Sequence, residues 1–158
     1  MPTPSIDIGI PAAQRAAIAA GLSRLLADSY ALLLKTHGYH WNVEGPMFTA
    51  LHEMFSVQYL ELQTAVDEIA ERIRALGVKA PGSLGGFSKL TSIKEPRGTP
   101  TAEAMIAGLL AGNETVVRTA RAVLPTAQKA RDESSTDLLI ERMRTHEKTA
   151  WMLRSLLS

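Results

Sequence analysis

The chain has 158 residues, enough for one domain with a substantial core, and combines 46% hydrophobic residues with only 5% aromatics. Its many Ala and Leu residues give it the profile of a helical bundle rather than an aromatic-rich sheet. The absence of cysteine excludes disulfides, thiolate metal sites and a cysteine nucleophile, and a net charge of +1 supplies no global drive towards nucleic acid or anionic membranes.

Residues 1–10 are aperiodic and contain Pro2 and Pro4, which reads as a short tail. Met1-Pro2-Thr3-Pro4-Ser5 lacks a basic n-region and an apolar h-region, so no signal peptide is expected. No apolar run approaches the ~20 residues of a membrane span. A cytoplasmic chain fits these features.

A first helix is predicted from about Pro11 to about His40. Ile18, Leu22, Leu25, Ser29 and Leu32 keep the three-and-four spacing of a buried stripe, beside a second stripe of Leu26, Tyr30, Leu33, His37 and His40. Gly45-Pro46 punctuates the chain, and Pro46 suits the opening of a second helix that runs to about Leu76. Leu51, Phe55, Leu62, Val66, Ile69 and Ile73 form its apolar stripe. His52, Ser56, Tyr59, Gln63, Asp67 and Glu71 form a polar stripe beside it. So long a polar stripe next to core suggests an oligomer interface or a wet cavity wall. Gly77 is expected to stop this helix, with Arg72 and Arg74 in its last turn.

Residues 77–100 hold five Gly and three Pro and read as a long crossover, with room for a short helix around Phe87 to Ile93. Thr99-Pro100 looks like an N-cap and first helical residue, with Glu103 in the first turn, and Pro125 is expected to end this third helix near Leu124. Ser134-Ser135-Thr136-Asp137 is a capping-box-like start for the fourth, whose stripe is Leu139, Met143, His146, Ala150, Leu153 and Leu157. Four long helices with one long crossover between the second and third is an all-α, ferritin-like connectivity in a single domain, 1–158. No internal repeat or second domain is evident.

The chemistry centres on His40-Trp41-Asn42-Val43-Glu44-Gly45, His52, Asp67 and Glu71. Imidazole nitrogen with carboxylate oxygen suits iron or zinc. Asp67 and Glu71 are four apart and share a helix face. His52 and Asp67 are fifteen apart, roughly 22 Å along a straight helix, and no single metal spans that distance. Either the histidine pair and the carboxylate pair are unrelated, or two copies of the helix meet antiparallel and each site draws on both chains. The second alternative places a two-fold near residue 61 or 62.

Asp67 and Glu71 taken alone would read as a solvated helix face; His52 on their stripe and the His40 motif turn the reading towards metal. His37 reads as a hydrogen-bonded helix histidine that lies near enough to approach the same metal. His146 reads as a satisfied interior or interface residue, and Glu61 as an interface polar residue near the inferred two-fold. Trp41 and Tyr59 read as packing aromatics, Trp41 also as a candidate acceptor of oxidising equivalents. Glu133 and Asp137, four apart, are favoured by the dipole at the start of the last helix.

The segment His40-Trp41-Asn42-Val43-x-Gly45-x-x-Phe48-x-x-Leu51-His52-x-x-Phe55, followed by Asp67-Glu68-Ile69-Ala70-Glu71-Arg72 and by Glu147-Lys148-x-x-Trp151, resembles the Dps family of mini-ferritins. The resemblance spans nearly the whole chain. It implies a hollow homododecamer that oxidises ferrous iron, with hydrogen peroxide as preferred oxidant, stores ferric mineral and protects against oxidative damage. It implies a metal site between subunits, with His40 and His52 from one and Asp67 and Glu71 from its two-fold partner. It also implies that the region of Glu133 and Asp137 lines a pore at a three-fold axis. Zinc can bind the same donors.

The chain departs from the family pattern twice. Four residues after the second histidine the family usually has a carboxylate, often bridging two irons; here stands Ser56. That weakens the second metal position and attenuates the expected ferroxidase, leaving one tight and one weak site. Residues 1–14 contain no Lys or Arg, and after Trp151 only Arg154 is basic, so a tail-based grip on DNA lacks its charges and weak DNA binding is expected. The rival readings are a DNA-compacting, nucleoid-associated shell with a weakened iron site, and a divalent-metal buffer without turnover.

Overall fold

The computed structural model describes residues 4–158. Its elements are five helices: α1 (Ala12–Asn42), α2 (Phe48–Ala75), α3 (Leu84–Leu90), α4 (Ala102–Lys129) and α5 (Glu133–Ser155). Among the described residues there is no strand.

Contacts along the helices fix their directions. His40 meets His52 at one end of the bundle and Arg15 donates to the Leu76 carbonyl at the other, so α1 and α2 run antiparallel. Asp28 with Thr119, and Gly112 against Leu32, make α4 antiparallel to α1. Arg121 with Glu147, and Glu114 with Arg154, make α5 antiparallel to α4. Helices α2 and α4 therefore run the same way, and the segment between them must travel the length of the bundle. That requirement is the physical reason for the long crossover.

The core follows the main apolar stripes read for α1, α2 and α5, joined by a matching set from α4. Ile18, Leu22, Leu25 and Leu32 of α1, Leu51, Phe55, Leu62, Val66, Ile69 and Ile73 of α2, Leu109, Val116, Ala120 and Val123 of α4, and Leu139, Met143 and Leu153 of α5 are all buried. Each large side chain so placed contributes about 1.5–3 kcal/mol over exposure. Helix α1 lies deepest. By length and composition it is apolar enough to cross a membrane, contrary to the sequence reading that no run approaches such a span. More than half of its most apolar window is buried against the other helices, as in the core helix of a bundle. A Cβ at Gly112 would stand 2.6 Å from Leu32, so only glycine lets α1 and α4 approach this closely.

Several boundaries differ from expectation. α2 starts at Phe48 rather than Pro46, and α3 spans Leu84–Leu90 rather than residues 87–93 because Ser83 caps it by accepting from the Gly86 N–H. Thr101, not Thr99, caps α4. Asp132, not Ser134, caps α5: its carboxylate accepts from the Ser135 N–H. Pro125 lies inside α4 instead of ending it. Pro125 is exposed, and the following turn continues with Ala127 fully buried. Leu157 falls beyond α5 and is exposed. Gly77 does stop α2, at φ +88°, with Ile6 of the N-terminal tail packed over it.

The crossover is pinned at mid-height. The fully buried carboxylate of Asp28 accepts from Thr91 Oγ1 (2.9 Å), the Ser92 N–H (2.6 Å) and Thr119 Oγ1 (2.6 Å). Lys35 Nζ adds a bond to the Lys94 carbonyl at 2.8 Å.

Candidate metal centre

His40 ends α1 and His52 opens α2, and the antiparallel packing lays their rings face to face, centroids 3.7 Å apart. Each Nδ1 contacts the other residue's backbone carbonyl at 2.7 Å. A carbonyl can only accept, so each Nδ1 carries a proton and Nε2 is the nitrogen left for a metal. The His40 carbonyl is available because it lies in the last turn of α1, where helix carbonyls lack intrahelical partners. Two imidazoles are thus oriented as nitrogen donors by backbone carbonyls, the arrangement typical of metal-ligating histidine.

Aromatic rings surround the pair. Phe48 stacks on His52 with centroids 5.1 Å apart, and Tyr59 meets His40 edge-on at 5.2 Å. His37 lies between Trp41 (4.0 Å) and Tyr59 (4.2 Å). Trp41 is 60% exposed. Contrary to the sequence reading, His37 makes no hydrogen bond among the described residues; stacking alone holds it.

Asp67 and Glu71 sit further along α2, both exposed, with no ion-pair partner among the described residues. Asp67 lines a groove of about 620 Å³ with Tyr30, Gln63 and Phe87. The neighbouring cation does not neutralise Glu71: Arg72 is committed to Asp132 (2.7 Å) and Ser135 (2.9 Å). These contacts, with the Ser135 N–H and hydroxyl, hold the Asp132 carboxyl below its usual range despite the opposing effect of burial. Among the described residues, no three His, Asp or Glu side chains of one chain gather into a metal-holding group. The structure brings His40 and His52 together and leaves Asp67 and Glu71 as a separate outward pair. Ser56 turns its hydroxyl back to the Glu53 carbonyl at 3.0 Å. Glu133 and Asp137 stand exposed on the first turns of α5.

Sequence reasoning missed a buried polar network. Arg142 donates to both oxygens of Glu61 and to His146 Nε2 at 2.8 Å, while His146 Nδ1 donates to Asn113 Oδ1 at 2.7 Å. Burial first, and the Arg142 charge second, push His146 down to about 3, so this imidazole stays neutral. Glu61 is therefore ion-paired within its own chain while its side chain stays 40% exposed. The only sequence signal was the four-residue spacing of Arg142 and His146.

The ferritin-like domain family model matches residues 19–158. A low temperature-induced protein of Nostoc is 42% identical over 154 residues, 96% of this chain and 86% of its own length. The DNA protection during starvation protein 2 of Bacillus anthracis is 38% identical over 137 residues, 87% of this chain and 94% of its own. Among solved structures, that of a Dps protein from Vibrio cholerae O1, described as one of the ferritin-like diiron-carboxylate proteins, matches with a TM-score of 0.93 and 32% identity, covering 100% of this chain and 99% of that one.

Proposed function

The chain belongs to the Dps family of ferritin-like proteins, and from that footing we propose that it oxidises ferrous iron at a site shared by two subunits and stores the ferric product in a closed shell of twelve. The observation that carries this reading is the reciprocal hydrogen bonding of His40 and His52, which leaves both Nε2 atoms for a metal at one end of α2 while Asp67 and Glu71 stand unpaired further along it. An antiparallel two-fold partner would bring its Asp67 and Glu71 to these nitrogens. Neutral imidazoles and anionic carboxylates then hold ferrous substrate with positions left open for oxidant.

With hydrogen peroxide, two ferrous ions each give one electron; the O–O bond breaks, and two protons complete two waters. Taking both electrons in one encounter limits hydroxyl radical. Trp41, exposed and tilted against His37 at 4.0 Å, stands where it can intercept stray oxidising equivalents. Glu133 and Asp137, repeated around a three-fold axis, would form an acidic ring that concentrates ferrous ions at a pore.

Stopped-flow absorbance after anaerobic ferrous loading, with peroxide or oxygen added, tests the activity. We expect ferric absorbance to rise faster with peroxide, and His52→Ala to abolish the fast phase. Ferrous binding without any absorbance change would replace the enzyme with a metal buffer. Light scattering with chelator present should give a particle near twelve times the 17.1 kDa subunit; a stable monomer or dimer would remove the shell.

A further inference from the structure

We propose that His37 is a nitrogen ligand of a second divalent-metal position beside the His40–His52 position, an inference that rests on the shared-site reading above. His37 lies three residues before His40 on α1, a rise of about 4.5 Å on the same face. Its ring centroid is 6.3 Å from that of His40. Paired metals stand about 3.5–4 Å apart, so imidazoles at this separation suit two adjacent ions better than one.

The surroundings of His37 favour a ligand over a structural residue. Trp41 and Tyr59 flank the ring, with centroids at 4.0 and 4.2 Å. Tyr59 stacks on the ring and Trp41 lies tilted against it; such contacts hold the plane of an imidazole but take neither nitrogen, and metals bind in that plane. Neither nitrogen has a hydrogen-bond partner among the described residues, although the residue is partly buried. On the facing helix, Ser56 falls between His52, which pairs with His40, and Tyr59, which pairs with His37. Its hydroxyl is turned to the Glu53 carbonyl. At this level α2 therefore offers no anionic oxygen, and the free nitrogen on α1 is the donor nearest to hand. Carboxylates from the two-fold partner would supply the oxygen donors.

The test uses the intact, metal-free particle and Zn2+, which binds without turnover, followed by calorimetry. Wild type should take up two equivalents per site, one tight and one weaker. His37→Phe keeps the aromatic stack and removes only the nitrogens; it should weaken the second equivalent by at least about tenfold and leave the tight one in place. Adding Ser56→Asp to His37→Phe should restore the second equivalent through an oxygen at the same level. Co2+ should show the same loss as a fall in visible absorption per particle. Two unaltered equivalents in His37→Phe, or only one in wild type, would overturn the assignment while leaving the shared site standing. Loss of neither equivalent in His52→Ala would overturn the shared site itself.

Discussion

The guanidinium of Arg142 grips both carboxylate oxygens of Glu61, at 2.5 and 2.9 Å, and so ties α5 to the middle of α2. The Arg142 side chain is 3% exposed and that of Glu61 40%. The two ends are therefore not equivalent. Glu61→Ala leaves a buried cation without its anion and should cost about 1–3 kcal/mol, less than the ~3–5 kcal/mol of a fully enclosed pair because water reaches this site. Arg142→Met leaves Glu61 free to hydrate but also strips the buried His146 Nε2 of its donor. In that background Glu61→Ala should cost little, because Glu61 has already lost its partner; urea unfolding of the single and double variants checks this coupling, and an undiminished cost of Glu61→Ala would mean that the ion pair is not what Glu61 contributes.

Stability should fall on acidification through His146. Its folded pKa, about 3, lies below the ordinary value of 6.5, so the unfolded chain binds the extra proton. The contribution is complete above about pH 6.5 and is lost as pH falls towards 3, at up to about 1.4 kcal/mol per pH unit. Asp132, also lowered, adds a loss in the same direction below its ordinary 3.8. His146→Gln should be less stable than wild type at pH 7 and show a flatter decline between pH 6.5 and 4. Parallel pH profiles would remove His146 as the titrating group.

Mixed particles separate a shared site from a one-chain site. His52→Ala and Asp67→Ala homomers should each lose fast ferrous oxidation. Co-assembled, the two subunits leave some interfaces with an intact histidine pair facing an intact carboxylate pair. Partial recovery over either homomer is expected; none at all would place the ligands within one chain.

Asp28→Ala should free the crossover while the bundle persists. Three donors lose their acceptor, including the Ser92 backbone N–H. The expected cost is about 2–4 kcal/mol. Trypsin should then cut faster at the exposed Lys89, Lys94 and Arg97. Unchanged cleavage would show that the Lys35 bond to Lys94 is sufficient to hold the segment.

Duplex DNA should bind weakly at roughly 150 mM salt, because tight binding needs many phosphate neutralisations. The chain carries 17 Lys and Arg against 16 Asp and Glu, and none of the 17 precedes Arg15. A gel shift across salt concentrations is the check. Tight binding with a steep salt slope would reveal a basic surface patch acting in place of a tail.

The core was legible in the sequence because burial repeats with the helix period: all six apolar positions read for α2 are buried. The polar stripe was legible for a similar reason, since His52, Asp67 and Glu71 keep one spacing along one helix. Helix ends were less so. Pro125 reads as a terminator by local rules, yet α4 continues through it to Lys129. Asp132 outcompetes Ser134 as a cap because Arg72, sixty residues away, holds its carboxylate in place. The His40–His52 lock and the Arg142 network join residues distant in sequence, and no local pattern announces which polar side chains will face each other across helices.

The hydrogen bonds between His40 and His52 close within a single chain. The nitrogen half of the centre is thus set as soon as α1 and α2 pack, and it holds no carboxylate. On the shared-site reading, negative charge arrives only with a second subunit. A newly made chain would hold ferrous iron poorly and offer peroxide little to react with. Redox chemistry would begin only once there is a compartment to receive its product, so assembly itself acts as a safety interlock on an otherwise hazardous reaction.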